Sequence, residues 1–517
     1  MDGDGRVHAV LRGAGSVVVL DPATGRLLSR RYVCAAPRGI AYDARMDGVH
    51  VACAGGELVT LAAATQSPIR QLELGRDLRD VVVAGDTLFV TRFRSAQVLA
   101  LDASGSVRNT TTPPTVVAKR TDAATFAERH DTFAPAVAWR AIPSGGGGVT
   151  LVHQRGQQNE ITGPSGPVSA VAAYYGGGGC GGGIVHSVVS TIDRTGAVQM
   201  SEPLVTAVLP VDIARSPDGR YLAIATAATP SATSAVAGSV QVLETSLVAS
   251  RGGAEADGCN AATRSLSVDD GAIAVAFDAR GRVLVQTREP ARLAIVDAES
   301  ALLLDSVSLS TVSREDTGHE IFHMDSGAGL ACASCHAEGQ DDGLVWTFSS
   351  GRRRTQVISG GVLDTLPLHW SGDMSDFGAL MSEVFVTRMG GAVPNGDHVR
   401  ALSRWVDTIA SITQSAPADA AAVDRGRALF ESASTGCASC HSGTKLTNNA
   451  NADVGTGAPM QVPSLRGVAF RAPYLHSGCA PTLRDRFGAC GGGDAHGHTS
   501  QLGESEIGDL VSYLEAL

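Results

Sequence analysis

Between residue 1 and about residue 311 the apolar positions fall in short runs, either continuous or alternating with polar residues. Ser16 to Leu20 and Leu88 to Thr91 are examples. Runs of this length and pattern predict β-strands. A unit recurs: a strand-like run, an acidic or polar turn with glycine, then another strand. It is clearest at Val19-Leu20-Asp21-Pro22-Ala23-Thr24-Gly25, Leu101 to Gly105, Ile192 to Gly196 and Ile295 to Glu299, and weaker at Leu58 to Ala63, Thr150 to His153 and Val240 to Glu244. These seven anchors recur roughly every 40 to 54 residues, the period of four-stranded propeller blades. The pattern predicts an all-β, seven-bladed propeller over residues 1–311.

From residue 312 the period changes. Leu402, Trp405, Val406 and Ile409 keep the spacing of one helix face, as do Ile507, Leu510, Val511 and Leu514. Glu315 to Met324 and Ala420 to Ser432 are further helix candidates. The expected organisation is a propeller followed by two mainly α domains, residues 312–415 and 416–517.

Each predicted α domain carries the same five residues, Cys-Ala-Ser-Cys-His, at Cys332 to His336 and at Cys437 to His441. Cys-x-x-Cys-His is the attachment site of a c-type haem. The two thiols add across the porphyrin's vinyl groups, and the adjacent histidine is held under the iron. A zinc half-site or a disulfide loop is the plain alternative, but zinc needs further Cys or His nearby, and neither copy has a second cysteine pair beside it. Cys332, Cys335, Cys437 and Cys440 therefore predict two covalent haems, with His336 and His441 as iron ligands.

The two halves also match between their motifs. Pro367-Leu368-His369-Trp370-Ser371-Gly372 parallels Pro473-Tyr474-Leu475-His476-Ser477-Gly478. The first haem cysteine precedes His369 by 37 residues and His476 by 39. Twenty residues past His369 lies Met389, and twenty past His476 lies His496. These two are the predicted distal iron ligands, with His498 and Met460 as substitutes.

Composition narrows the setting. The 61 glycines and the scarcity of aromatics (4%) suit short strands joined by tight turns. A formal net charge of −11 argues against nucleic acid and against an anionic membrane surface. It is compatible with a small basic redox partner, although ordinary solubility charge accounts for it equally. No spanning helix or signal peptide is visible, so the expectation is a mature chain without its export signal. Six cysteines remain outside the haem motifs, available for disulfides; Cys34 with Cys53 and Cys180 with Cys259 are the expected pairs in the propeller. Disulfides and covalent haem both point to the periplasm or cell exterior. Glycine runs at 145–148 and 176–183 predict loops on a propeller face, turned toward the haem domains. His153 and His186, near them, read as satisfied core histidines or exposed polar residues.

The propeller part resembles seven-bladed propellers of exported bacterial proteins, through phrases such as Ser216-Pro217-Asp218-Gly219-Arg220-Tyr221-Leu222. Residues 312–517 resemble the bacterial di-haem cytochrome c peroxidase family. Gly318 to Phe322 before the first motif, Val462 to Val468, and Ala472 to Gly478 followed by Thr482-Leu483 carry that resemblance. It implies that one haem passes electrons while the other reacts with peroxide, with a tryptophan between them, here Trp346 or Trp370. The sequence departs from the family where it has Leu368 to Asp373 in place of a glutamine-led phrase, and Glu383 is the nearest glutamate. His369 and Trp370 are therefore the candidate catalytic residues, His369 as acid or base. The family's distal methionine position is occupied by Cys490, read as bonded to Cys479, which moves the iron ligand to His496. Arg352, Arg353 and Arg354 are candidates for propionate pairing. The polar loop 448–457 with Asp453 is a calcium candidate by the same resemblance.

The leading expectation is an exported di-haem oxidoreductase, peroxidase- or oxidase-like, served by a small cytochrome or cupredoxin. The alternative is a non-enzymatic electron-transfer protein with the propeller as partner-docking module. A third makes the propeller the functional part and the haems a sensor.

Overall fold

The protein is described from a computed structural model, covering residues 1–121, 128–161, 183–204, 207–228, 239–249, 264–268, 270–412 and 419–517. The described residues up to Ser308 form antiparallel sheets in succession, one per blade of a β-propeller. Blade 1 has three strands (Val7–Leu11, Ser16–Leu20, Leu27–Tyr32). Blade 2 starts with Pro37–Asp43, blade 3 with Leu78–Ala84, blade 5 with Pro210–Arg215 and blade 6 with Asp270–Phe277, each four-stranded. Blade 4 has five strands, because its 16-residue strand Glu128–Pro143 pairs over its first half with Val116–Thr121 and over its second with Val149–Gln157.

Six blades are thus present among the described residues, one fewer than the sequence pattern predicts. The miscount has a simple origin. Thr150 to His153 and Ile192 to Gly196, taken as separate anchors, belong to neighbouring strands of blade 4, paired Thr150 to Thr191 and His153 to Val188. The 27 residues of sequence between Val149–Gln157 and Val185–Ile192 separate these two paired strands by the spacing expected of a whole blade.

Radial position explains the hydrophobic pattern. Second strands such as Gly48–Cys53 and Tyr221–Thr226 are buried at every residue, because both their faces meet a neighbouring blade. Outer strands such as Leu27–Tyr32 and Leu303–Ser308 are almost wholly exposed. Apolar clusters fill the seams: Val17 with Val49, Val51 and Leu61, and Ala223 and Val240 with Val275 and Val285. The acidic turns are Asx turns. Asp21 accepts from the Ala23 amide at 2.9 Å, Asp193 from the Thr195 amide at 2.8 Å and Asp278 from the Arg280 amide at 2.9 Å. The glycines at 145–148 form a blade 4 hairpin closed by the Ser144 amide on the Gly148 carbonyl. Cys34 and Cys53 are bonded. The expected Cys180–Cys259 pair lies outside the described residues. His153 is a core histidine, hydrogen-bonded to the Gln154 carbonyl and Ser190 Oγ, each at 2.8 Å, and lowered to about 4 by burial.

One strand in each of blades 2 to 6 shares an irregularity. The first strands of blades 2, 3, 5 and 6 slip register near their starts, at Pro37/Gly39, Leu78/Val81, Pro210/Asp212 and Ala272/Ala274, and the second strand of blade 4 slips in its second half, at Ala138/Arg140. A β-bulge re-aims the extra side chain. The residues so released include Arg38, Arg79, Trp139, Val211 and Ile273. The last four line a cavity of about 340 Å³ together with residues from beyond the propeller, among them His319, His323, Ala333 and Glu338.

Glu338 closes this ring. Its carboxylate meets Arg12 at 2.9 Å, Arg38 at 3.0 Å and Arg79 at 2.7 Å, one guanidinium from each of the first three blades. Burial raises its pKa, but the three cations outweigh burial and hold it at about 2. Arg38 and Arg79 also lie over the Phe93 ring, at 4.6 and 4.9 Å.

Beyond the propeller the chain forms two helical halves of like construction. In the first, α1 (Thr317–His323), capped by Asp316 on the His319 amide, crosses α2 (Gly396–Asp407), capped by Asn395. In the second, α3 (Ala420–Glu431), capped by Asp419, crosses α4 (Glu504–Glu515). Glycine permits both crossings: a Cβ at Gly318 would overlap the Ala401 carbonyl and Trp405, and one at Gly426 the Asp509 carbonyl and Tyr513. Among the described residues no helix is long and apolar enough to cross a membrane.

Two expectations follow. Gly426→Val is expected to destabilise the second half by about 1–3 kcal/mol through overpacking, read as a lower denaturation midpoint; an unchanged midpoint would mean that α3 and α4 do not cross here. Glu338→Gln leaves three clustered guanidiniums without their common counter-charge. Such a loss costs about 3–5 kcal/mol, and limited proteolysis between residues 308 and 317 is expected to accelerate; equal cleavage rates would contradict the latch.

Candidate functional site

The second Cys-x-x-Cys-His motif begins where α3 ends. Gly436, in the left-handed region at φ 72°, turns the chain into a short 3₁₀ turn from Cys437 to Ser439, and the His441 amide bonds the Cys437 carbonyl at 3.0 Å. His441 donates from Nδ1 to the Leu446 carbonyl at 3.1 Å, which leaves Nε2 as the free ligating atom. Burial lowers its pKa and keeps the ring neutral.

His496 ends the turn Gly493–His496 and likewise turns Nδ1 to a carbonyl, that of Gly491, at 3.3 Å. Burial first, then the charges of Arg486 and His441, lowers it to about 3. Cys490, bonded to Cys479, sits directly before Gly491, so the disulfide braces the turn that carries His496. The two imidazole centres stand 6.5 Å apart with planes 33° from parallel. A metal–imidazole bond is about 2 Å, so one atom bonded to both rings needs a separation of roughly this size. Both rings line a cavity of about 600 Å³ walled by apolar residues such as Phe430, Val468 and Leu510.

The cavity also holds cations without counter-charge. Arg471 and Arg486 line it, each lowered to about 10, chiefly by burial, and neither has a carboxylate within 4 Å among the described residues. Arg471 Nε is buried with no hydrogen-bond partner. A space of this size, with two facing imidazoles, two unpaired thiols and orphaned guanidiniums, fits an iron porphyrin with carboxylate side chains. Met460 and His498 line the same space.

The first motif forms one helical turn, Cys332–Cys335, with Ser334 Oγ accepting from the Ala331 amide at 3.0 Å. Cys332 and Cys335 border an apolar cluster that contains Phe322, Trp346, Phe385 and Met389. Met389 is buried there, just after a π-helical segment, Met381–Arg388. Burial pushes the Cys332 thiol up to about 12. All four motif cysteines are free, whereas Cys34–Cys53 and Cys479–Cys490 are bridged. The disulfide-loop alternative therefore does not hold. No group of three or more His, Cys, Asp or Glu side chains is arranged to bind a metal among the described residues. In the calcium-candidate loop, Asp453 accepts from the Gly455 amide at 3.0 Å.

The internal repeat differs by one position from the reading made on histidine identity. Leu368 bridges Met374 as Tyr474 bridges Ala480. His369 and Leu475 both take the left-handed conformation (φ 76° and 67°), and each carbonyl accepts from a glycine amide three residues on. His369 therefore corresponds to Leu475, and Trp370 to His476. The twenty-residue spacing that matches Met389 to His496 is off by one in structural terms. His369 lies at the surface, its side chain 32% exposed and bonded to Asp373 at 2.9 Å, and it lines neither cavity.

Trp370 and His476 do line the second cavity, with ring centres 6.3 Å apart. Trp370 Nε1 donates to the Arg354 carbonyl at 2.8 Å, and the Arg354 amide to the His476 carbonyl at 2.7 Å. Trp346, in the first motif's cluster, donates to Thr355 Oγ1 at 3.0 Å. The two tryptophans thus hang on consecutive residues, one beside each motif. The sequence missed Arg12, Arg38, Arg79 and Glu338; only the first-strand position shared by Arg38 and Arg79 offered a signal.

No family model matches the chain. It is 27% identical over 260 residues, 36% of this chain and 72% of the relative, to hydrazine synthase subunit gamma of Kuenenia stuttgartiensis. Among solved structures it is similar to Kuenenia stuttgartiensis hydrazine synthase, with TM-score 0.36, 13% identity and coverage of 60% of this chain and 95% of that one. It is also similar to virginiamycin B lyase from Staphylococcus aureus, with TM-score 0.40, 8% identity and coverage of 60% and 83%.

In haem-loaded protein, His496→Ala is expected to leave attachment at Cys437 and Cys440 intact and to open the sixth position, seen as a new high-spin EPR signal. A spectrum identical to the parent's would assign the ligand to another residue, with His498 and Met460 next in line.

Proposed function

We propose that this chain is a di-haem c-type cytochrome that relays single electrons, and that it works as a subunit within a larger assembly. Haem iron, cycling between ferric and ferrous states, supplies the redox chemistry. Cys332 and Cys335 fix one porphyrin and Cys437 and Cys440 the other, with His336 and His441 as proximal ligands. The observation that carries the reading is the pair of neutral imidazoles, His441 and His496, facing each other across one cavity at 6.5 Å. His441 and His496 would together hold a haem iron in this cavity, which would leave no place there for a substrate. Histidine on both sides also favours a low reduction potential over histidine with methionine. Met389 is the proposed sixth ligand at the first motif.

The order of residues between the motifs supports transfer within the chain. Trp346 is packed on the first motif and Trp370 opens on the second cavity, and Thr355 and Arg354 hold their indole nitrogens in fixed positions. The domain limits 312–415 and 416–517 fit this arrangement, one haem to each. Similarity to a protein named as a synthase subunit supports action with protein partners, and the exposed propeller face is the proposed docking surface. A small cytochrome or cupredoxin remains the proposed electron donor or acceptor. Two formed disulfides support an oxidising compartment, in the periplasm or outside the cell.

One observation favours a second reading, a peroxidase-like first haem. The 340 Å³ cavity reaches Ala333 inside the first motif and is lined by His319 and His323, both lowered by burial and so uncharged, His319 to about 3. A small oxidant has room there. His369 and Trp370 were the catalytic candidates for that chemistry, but the surface position of His369 favours relay.

The discriminating experiment records optical and EPR spectra of oxidised and half-reduced protein with and without peroxide. Two low-spin haems that do not respond to peroxide are expected. A high-spin haem consumed by peroxide would replace the relay with the peroxidase-like reading.

A further inference from the structure

A chain of buried ion pairs runs from the propeller axis to the second cavity. Arg38, paired with Glu338, also meets Asp77 at 3.1 Å. Asp77 meets Arg94 Nε at 3.2 Å and accepts from the Arg94 amide at 2.8 Å. Arg94, in the loop after the second strand of blade 3, then reaches Asp341 at 2.8 Å. Asp341 holds Arg354 at 2.8 Å with its other oxygen. Arg354 is buried, and it lines the second cavity beside Arg471, whose charge it opposes.

The charges along this chain do not balance. Five guanidiniums (Arg12, Arg38, Arg79, Arg94, Arg354) share three carboxylates (Glu338, Asp77, Asp341). The two-charge excess sits in the Glu338 cluster; at the cavity end Arg94 and Arg354 are matched by Asp77 and Asp341, and Arg471 is the added cation there with no carboxylate within 4 Å among the described residues. Buried cations need an anion within reach. A planar guanidinium suits a carboxylate in particular.

We propose that Arg354 and Arg471 bind the carboxylate edge of the haem in the second cavity, and that blade 3 positions Arg354 through Arg94 and Asp341, so that the propeller tunes this haem's potential. The proposal rests on the di-haem reading above. Arg94 is a positioning residue: it touches no part of the cavity and acts through Asp341. Positive charge near the iron favours the reduced state, so each charge removed along the chain moves the potential in a known direction.

The test is spectroscopic redox titration of the haem-loaded full chain. Arg94→Gln, which removes a cation, is expected to lower the second haem's midpoint potential, and Asp77→Asn, which removes an anion, to raise it. Combining Arg94→Gln with Arg354→Gln is expected to shift it by less than the sum of the single shifts, because the two act through one link. Arg94→Lys keeps the charge but not the fork between two carboxylates. It should give a smaller downward shift, and it carries the test if the glutamine variant does not fold. Shifts of the same sign in Arg94→Gln and Asp77→Asn would reveal general loosening and overturn the proposal, as would no shift in either. If the parent carries no haem on Cys437 and Cys440, the di-haem reading fails instead.

Discussion

One buried carboxylate, Glu338, joins the halves of this molecule. It lies two residues after His336, so the first motif cannot move without it, and it is shared by arginines from three blades. Burying a carboxylate is costly unless its partners are fixed in place. Here the propeller supplies them: bulged first strands turn Arg38 and Arg79 toward the axis, where Arg12 joins them. The propeller is therefore the mould against which the first motif sets, and the motif in turn supplies the anion that keeps the arginines from repelling one another.

The second half is held to the first by direct stitching. Gln461 bonds the Trp370 carbonyl through its amide and the Thr365 carbonyl through its side chain, at 2.8 and 3.1 Å, and Lys445 bonds the Gly360 carbonyl at 2.6 Å. This keeps Trp370 and Arg354, residues of the first half, in the wall of the second half's cavity. A cofactor there would be enclosed by both halves, so its environment depends on how they are joined.

Much of this was legible in the sequence. The two Cys-x-x-Cys-His motifs are local and chemically specific, the helix faces and the blade turns led by Asp21, Asp102 and Asp297 follow from short spacings, and the Cys479–Cys490 link is what the family resemblance implies. Two readings slipped where a local pattern was ambiguous. The long strands of blade 4 carry two turn-like anchors, and matching His369 to His476 by identity overlooked the backbone, in which His369 and Leu475 share the left-handed position. The ion-pair chain was not legible at all. Its members are scattered from Arg12 to Arg354, and nothing in a lone arginine tells which distant carboxylate it will meet. That information is created only when the blades pack side by side and the first motif settles against them.

The account stands on both Cys-x-x-Cys-His motifs carrying covalent haem, and intact-mass measurement of the protein from a host competent in haem attachment tests this most directly. The expected mass is that of the polypeptide plus two haems, with the haems mapping to the peptides that contain Cys332 to His336 and Cys437 to His441. A polypeptide with one haem or none, under conditions where other c-type cytochromes are loaded, would contradict it.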